Sequence, residues 1–391
     1  MRQSRGEGVR VAQLIECDGP GGAEQVVAEL SRALQAGGAE TVAFLPAQGE
    51  GWLERQLAGS GVAIERFRID RPIAPATVLA LARAFRRHRI SIAHSHEFSM
   101  AVYGACAAKL AGIPHVVTMH GGRYYAGRRR RRLAMRVAVA VSGRLVAVSD
   151  SVAAALAHDL GLGPRRVLTI PNGVRPAAHA TPALRQELGL GREAQCILAV
   201  GNLYPVKGHE YLIDALKILA PRYPALHVAI AGRGALEGDL RARAVTHRVD
   251  DRVHLLGLRG DVPALVAAAD IFVLPSLSEG LPLALLEAMF AARPIVASEV
   301  GEVGIALDHG DAGILVPPAN APALAGALEG LLRDPSRARA LGHAASRRAR
   351  AEYGFDRMVG RYIEVYRQLL PARGSVVPST WRPDSTGAPL S

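Results

Sequence analysis

Long apolar runs are absent from this sequence. Although 49% of its 391 residues are hydrophobic, no stretch approaches the roughly 20 uncharged apolar residues that a membrane-crossing helix needs. The opening MRQSRGEGVR also lacks the apolar middle of a signal peptide, so the expectation is a cytoplasmic protein. Cysteine is scarce: Cys17, Cys106 and Cys196 lie far apart, without metal-ligand spacing and in odd number, which argues against a disulfide framework and predicts buried thiols. Acidic residues are outnumbered 35 to 47, for a formal charge of +12. Seven arginines and no acid fall in RYYAGRRRRRLAMR, residues 123–136. Because that run has no interleaved stacking residues and matches no known module, nucleic-acid binding is disfavoured.

What the sequence does contain is a rhythm. Short Val-, Ile- and Leu-rich segments alternate with longer Ala-, Leu- and Arg-rich ones, the pattern of parallel sheets covered by helices on both faces. Strands are predicted at 9–16, 40–46, 90–96, 115–120, 144–149 and 166–171, with helices such as 23–36 and 76–88 between them. The pattern restarts at 195–201, 227–232, 252–257, 271–276, 294–298 and 312–318. The fold class predicted is α/β, with two doubly wound, Rossmann-like domains. Residues 1–175 form the first, 176–194 a linker, 195–352 the second, 353–370 a packing helix and 371–391 a disordered tail rich in Pro, Ser, Thr and Gly. Doubly wound sheets bind ligands outside the carboxyl ends of their strands, so a cleft between two such domains is the expected site.

The segment SLSEGLPLALLEAMFAARPIVAS, 276–298, carries Glu279 and Glu287 around a predicted helix start near 281. Pro282 suits a first turn because its missing N–H costs nothing there. The free amides of Gly280, Leu281 and Leu283 would then form an anion site strengthened by the helix dipole. Glu287 would lie roughly 8 Å further along the axis, where a carboxylate can accept from both hydroxyls of a ribose. Taken alone, two glutamates at this spacing fit a solvated helix face better than a ligand cradle, and other residues decide.

Together with AADIFVLPS before it and AARPIVAS after it, the segment resembles the paired-glutamate motif of retaining GT-B glycosyltransferases of family four. GPGGAE (19–24), TMHG (118–121), VAVSD (146–150), IPNGV (170–174) and VGNLYPVKG (200–208) follow in the family's order, and the resemblance spans about residues 9–370. It implies transfer of a hexosyl group from a nucleotide diphosphate sugar to an acceptor hydroxyl with retention of configuration, and a role in cell-envelope, polysaccharide or glycolipid assembly. No metal or other cofactor is implied: no Asp-x-Asp occurs, and the family meets the diphosphate with positive charge and a helix dipole.

By that resemblance Glu279 positions the sugar, Lys207 neutralises the leaving diphosphate and His120 contacts the transferred sugar. Gly21, Gly22, Gly280, Leu281 and Glu287 line the donor. Asn202 stands where most members carry an arginine, and Arg233, at a neighbouring strand end, is a candidate for the missing charge. His94 and His96 are read as structural. Arg128, Arg129, Arg130, Arg131 and Arg132 fall in the domain that receives the acceptor, a saccharide or lipid-linked saccharide. They fit an anionic acceptor or a peripheral place at the inner face of a membrane, at about 1 kcal/mol per arginine, as well as they fit a solvated helix end.

Two rival readings remain and a third is excluded. An inactive nucleotide-sugar-binding scaffold is favoured by Asn202 and by VGEVGIAL (300–307), where Glu302, Gly304 and Ile305 depart from the family's pattern. A GT-B epimerase or phosphorylase keeps the fold and changes the reaction. A nicotinamide-dependent oxidoreductase is set aside, since Gly232, Gly234 and Gly238 are one residue too widely spaced for the dinucleotide fingerprint.

Overall fold

The computed structural model describes residues 8–69, 74–122, 125–163, 165–176, 184–191 and 193–370. The predicted tail at 371–391 lies outside the described residues. The chain divides into two compact units, one formed by the residues up to Asn172 together with the helix that follows Phe355, the other by Gly173–Phe355.

The first unit is built on seven parallel strands: β1 (Arg10–Leu14), β2 (Glu40–Pro46), β3 (Ala63–Phe67), β4 (Ile92–His96), β5 (His115–Met119), β6 (Arg144–Ala147) and β7 (Val167–Thr169). Their order is β3-β2-β1-β4-β5-β6-β7. The central strands are fully buried, β4 and β5 along their whole length, as sheets covered on both faces require. β3 escaped the sequence reading. It is an edge strand, AIERF, with Glu65 and Arg66 among its five residues, and charge on an edge blunts pairing with other chains.

The second unit repeats the plan with β8 (Gln195–Val200), β9 (Leu226–Ala231), β10 (Val253–Gly257), β11 (Ile271–Leu274), β12 (Ile295–Ser298) and β13 (Ile314–Val316), ordered β10-β9-β8-β11-β12-β13. Two apolar clusters cover its two faces: one holds Leu198, Phe272, Leu285, Met289 and Leu307, the other Ile197, Leu212, Val228, Val273 and Leu328. Where a linker was expected, the described residues include a helical turn, Leu184–Glu187, with Leu184 buried.

In both units the first strand is central and the order reverses beside it, between β1 and β4 and between β8 and β11. Such a switch point opens a crevice at the carboxyl ends of the strands. The chain leaves the second unit beside the point where it entered: Val174 N–H donates to Tyr353 O at 3.0 Å, and Phe355 N–H to Val174 O at 3.1 Å. Helix Phe355–Leu369 then packs on the first unit, burying Met358, Val359, Tyr362, Val365 and Tyr366.

The thiols differ from expectation. Cys196 is buried, but Cys106 is partly exposed and Cys17 exposed, because Cys17 lies beyond the end of β1, outside the sheet's cover.

Candidate functional site

At the switch point of the second unit, the loops after β8 and β11 bring together residues 72 positions apart. Lys207 Nζ lies 2.7 Å from Glu279 Oε1. Ser276 Oγ donates to the same oxygen at 2.7 Å. The Glu279 side chain is 8% exposed and that of Lys207 26%, so the pair is shielded on one side and open on the other. Leu277 N–H donates to Val206 O at 2.8 Å, which ties one loop to the other.

The helix after β11 begins later than predicted, at Leu283, and Pro282 is its N-cap, extended at φ −72° and ψ 131°. Gly280 and Leu281 belong to the preceding turn, leaving Leu283 and the residues after it to supply the free amides of the helix end. Glu287 is therefore the fifth helical residue, about 6 Å along the axis from Leu283, not 8 Å. Its carboxylate has no hydrogen bond or ion pair among the described residues, and burial pushes its pKa from 4.5 up to about 7. A carboxylate held this way gains from any neighbour that donates hydrogen bonds.

Residues 299–302 close over the Glu279 loop. Gly301 has φ +54°, and a Cβ there would sit 2.0 Å from Glu279 O. Glu302 is 5% exposed, and its N–H donates to Gly280 O at 3.2 Å. Arg233 is brought near Asn202 by its main chain: Arg233 O accepts from Leu203 N–H at 2.9 Å. Its side chain is exposed.

The first unit's switch point carries the other predicted residues. Gly21 caps the helix Gly22–Ala36 with an extended backbone, φ −159°, so no left-handed conformation requires glycine here. A Cβ on Gly21 would meet Glu24 Oε2 at 2.3 Å, the end of a side chain that can turn aside. Burial raises the pKa of Glu24.

His120 follows β5, and both its main chain and its ring are held. Its N–H donates to Glu97 Oε1 at 3.0 Å, and its Nε2 lies 2.9 Å from His96 Nδ1. Glu97 has a left-handed backbone, φ +66°, and burial pushes its pKa up to about 7. His94 and His96 are 0% exposed and fully engaged. Glu97, Ser276 and Gly301 were missed from sequence. Glu97 offered one signal, an acid directly after the strand ending HSH.

The arginine run starts a helix. Arg128 is the N-cap of Arg129–Val141, and the first turn holds no acid, although positive charge is unfavourable at that end of the dipole. Arg128, Arg129 and Arg130 are exposed and Arg131 and Arg132 partly so. Leu133, Val137 and Val141, four residues apart, are 63%, 51% and 43% exposed. No helix among the described residues is long and apolar enough to cross a membrane.

Residues 20–178 match the family model described as Glycosyltransferase Family 4, and residues 194–334 the model described as Glycosyl transferases group 1. The chain is 32% identical over 238 residues to the UDP-Gal:alpha-D-GlcNAc-diphosphoundecaprenol alpha-1,3-galactosyltransferase of Escherichia coli. That match covers 57% of this chain and 62% of the relative, less than two thirds of its length. A D-inositol 3-phosphate glycosyltransferase of Pseudarthrobacter chlorophenolicus is 31% identical over 313 residues, 74% of either chain. Among solved structures, Anabaena Alr3699/HepE in complex with UDP-glucose superimposes with a TM-score of 0.80 at 22% identity, covering 92% of this chain and 100% of that one.

Proposed function

This chain belongs to the group 1 glycosyltransferases of family 4, and from that premise we propose that it is a retaining, metal-independent hexosyltransferase that uses a nucleoside diphosphate sugar. The observation that carries the proposal is the Lys207–Glu279 pair beside the start of helix Leu283–Phe290, with Glu287 unpartnered on that helix.

The leaving diphosphate gains charge as the glycosidic bond breaks. Lys207 and the free helix amides supply fixed positive potential where that charge develops. With a diphosphate bound, Lys207 shares its ammonium between phosphate and Glu279, and Ser276 keeps Glu279 oriented. Glu279 then accepts from a sugar hydroxyl, and Glu287 accepts from the ribose diol. Gly21 and Gly22, Asn202, Gly280, Leu281 and Arg233 line the donor, and His120 contacts the transferred sugar. The acceptor attacks from the face the diphosphate leaves, and the departing phosphate takes its proton, which gives retention without a nucleophilic carboxylate.

The E. coli relative uses UDP-Gal and a diphosphoundecaprenol-linked acceptor, which supports a UDP-hexose donor and a lipid-linked saccharide acceptor here, in cell-envelope or polysaccharide assembly. Arg128–Arg132, with the stripe Leu133, Val137 and Val141, suits an anionic membrane surface, which supports a peripheral position at its cytoplasmic face.

The test is nucleotide release from a panel of UDP-, GDP- and ADP-sugars with EDTA present, for wild type, Lys207→Ala and Glu279→Ala. Release from one donor, lost in both variants, is the expected result. Donor binding without release, with or without a lipid-linked acceptor, would favour a second reading, an inactive nucleotide-sugar-binding scaffold. The observation behind that reading is Glu302, a departure from the family's pattern buried against the Glu279 loop.

A further inference from the structure

A continuous chain of buried polar side chains runs from the C-terminal helix to His120, entirely within the first unit. Gln13, on β1, donates from Nε2 to Tyr366 Oη at 3.2 Å, and its Oε1 lies 2.8 Å from His96 Nε2. Tyr366 Oη also contacts His94 Nδ1 at 2.7 Å, and His94 Nε2 contacts Thr118 Oγ1 at 2.8 Å. Tyr362 Oη, 3.2 Å from Thr118 Oγ1, ends the chain on one side. His96 Nδ1, 2.9 Å from His120 Nε2, ends it on the other. Gln13, His94, His96 and Tyr366 are all 0% exposed.

Burial holds these imidazoles neutral, His94 and His96 well below the usual histidine range and His120 down to about 4. A neutral imidazole donates from one nitrogen and accepts at the other. Each bond in the chain therefore dictates the next. The Gln13 carbonyl accepts, so His96 carries its proton on Nε2 and accepts at Nδ1. His120 must then donate from Nε2, which leaves its Nδ1 as a bare acceptor. That nitrogen is buried and has no partner among the described residues. Turning the Gln13 amide end for end would reverse every donor and acceptor, so whatever fixes the amide fixes the face that His120 presents. Tyr366 is the partner at the amide's other end: Gln13 Nε2 donates to its hydroxyl oxygen, and in that arrangement the hydroxyl's own proton is left for His94 Nδ1, 2.7 Å away.

We propose that Tyr366 is a positioning residue of the glycosyl-transfer site, acting through Gln13 and His96 to hold His120 in the single tautomer whose Nδ1 accepts a hydrogen bond from a substrate hydroxyl. The proposal rests on His120 belonging to that site, as proposed above. It gives the C-terminal helix a task beyond packing.

The experiment reads the tautomer directly, and so does not depend on turnover. Long-range 1H–15N correlation spectra of the full chain, labelled at histidine, separate a protonated ring nitrogen from a bare one. Wild type is expected to show His120 as one tautomer, with Nδ1 bare. Tyr366→Phe keeps the ring and removes the hydroxyl, and it should give a mixture. Tyr362→Phe, an equally buried tyrosine one turn away at the far end of the chain, should leave His120 unchanged. Gln13→Leu breaks the same link and serves if Tyr366→Phe does not fold.

In turnover, Tyr366→Phe should lower kcat roughly tenfold with KM for the donor little changed, and should have less than about a twofold effect in a His120→Ala background, where there is no ring left to orient. An absence of turnover in wild type would count against the proposed function and leave the spectra to judge the tautomer. A wild-type mixture at His120, a tautomer indifferent to both Tyr366→Phe and Gln13→Leu, or an equal disturbance by Tyr362→Phe would overturn the proposal.

Discussion

Glu287→Gln offers a test whose sign changes with the quantity measured. Burial lifts the Glu287 pKa from 4.5 to about 7, so the folded chain holds a proton that the unfolded chain has released. Stability therefore falls as pH rises from the unfolded value through the folded one, in a window between pH 4.5 and about 7. Linkage from those two values makes ionisation cost about 1 kcal/mol at pH 5.5 and about 3 kcal/mol at pH 8. Glutamine has nearly the same shape and never ionises, so the variant escapes this cost.

Denaturant unfolding of the second unit, followed for both proteins at the two pH values, should show the variant gaining on wild type by about 2 kcal/mol between pH 5.5 and pH 8. Other titrating groups, including Glu97, are common to both proteins and cancel in the difference. Donor binding should move the opposite way. Wild-type affinity for nucleotide should rise over the same pH range as the carboxylate ionises to accept from the diol, while that of the glutamine variant is lower at pH 8 and nearly flat. A stability gap that does not grow with pH would refute the burial argument, and a flat wild-type affinity would remove Glu287 from the donor site.

Lys207→Ala should reduce donor turnover by a factor on the order of 10² to 10³, as losing one fixed charge at a developing anion does, with far-UV circular dichroism unchanged; turnover within about threefold of wild type would contradict the assignment. Gly301→Ala introduces a methyl group 2.0 Å from Glu279 O at φ +54° and should cost about 2–4 kcal/mol or displace the Glu279 loop, seen as a lower Tm with loss of donor turnover. Replacing Arg129, Arg130, Arg131 and Arg132 with serine should weaken flotation with phosphatidylglycerol vesicles by about 1 kcal/mol per arginine, roughly fivefold each. Leu133→Asp with Val137→Asp should weaken it at any salt concentration, and unaltered flotation in both variants would remove this helix from a membrane role.

Much of the fold was legible because its signals are local. Twelve of the strands announced themselves as short segments rich in Val, Ile and Leu, the edge strands β7, β10 and β13 among them. β3 did not, because Glu65 and Arg66 interrupt its five residues and make it look like a loop. Glu279, Glu287 and Lys207 were readable as members of ordered motifs that resemble a known family, and the alternation of strands and helices put Lys207 and Glu279 in loops after strands and Glu287 on the helix that follows.

What they do to one another was not readable, since hydrogen bonds form between atoms that meet only after folding. The sequence by itself determined the doubly wound architecture and the residue types at its carboxyl edges. Tertiary structure decided that Lys207 faces Glu279 across 72 residues, that Pro282 caps its helix instead of entering it, and that Gly301 closes on Glu279. It also decided that a tyrosine 353 positions from Gln13 shares its hydrogen bond. Periodicity is written along the chain within a turn or two, whereas burial, pairing and tautomer depend on what the rest of the chain brings alongside.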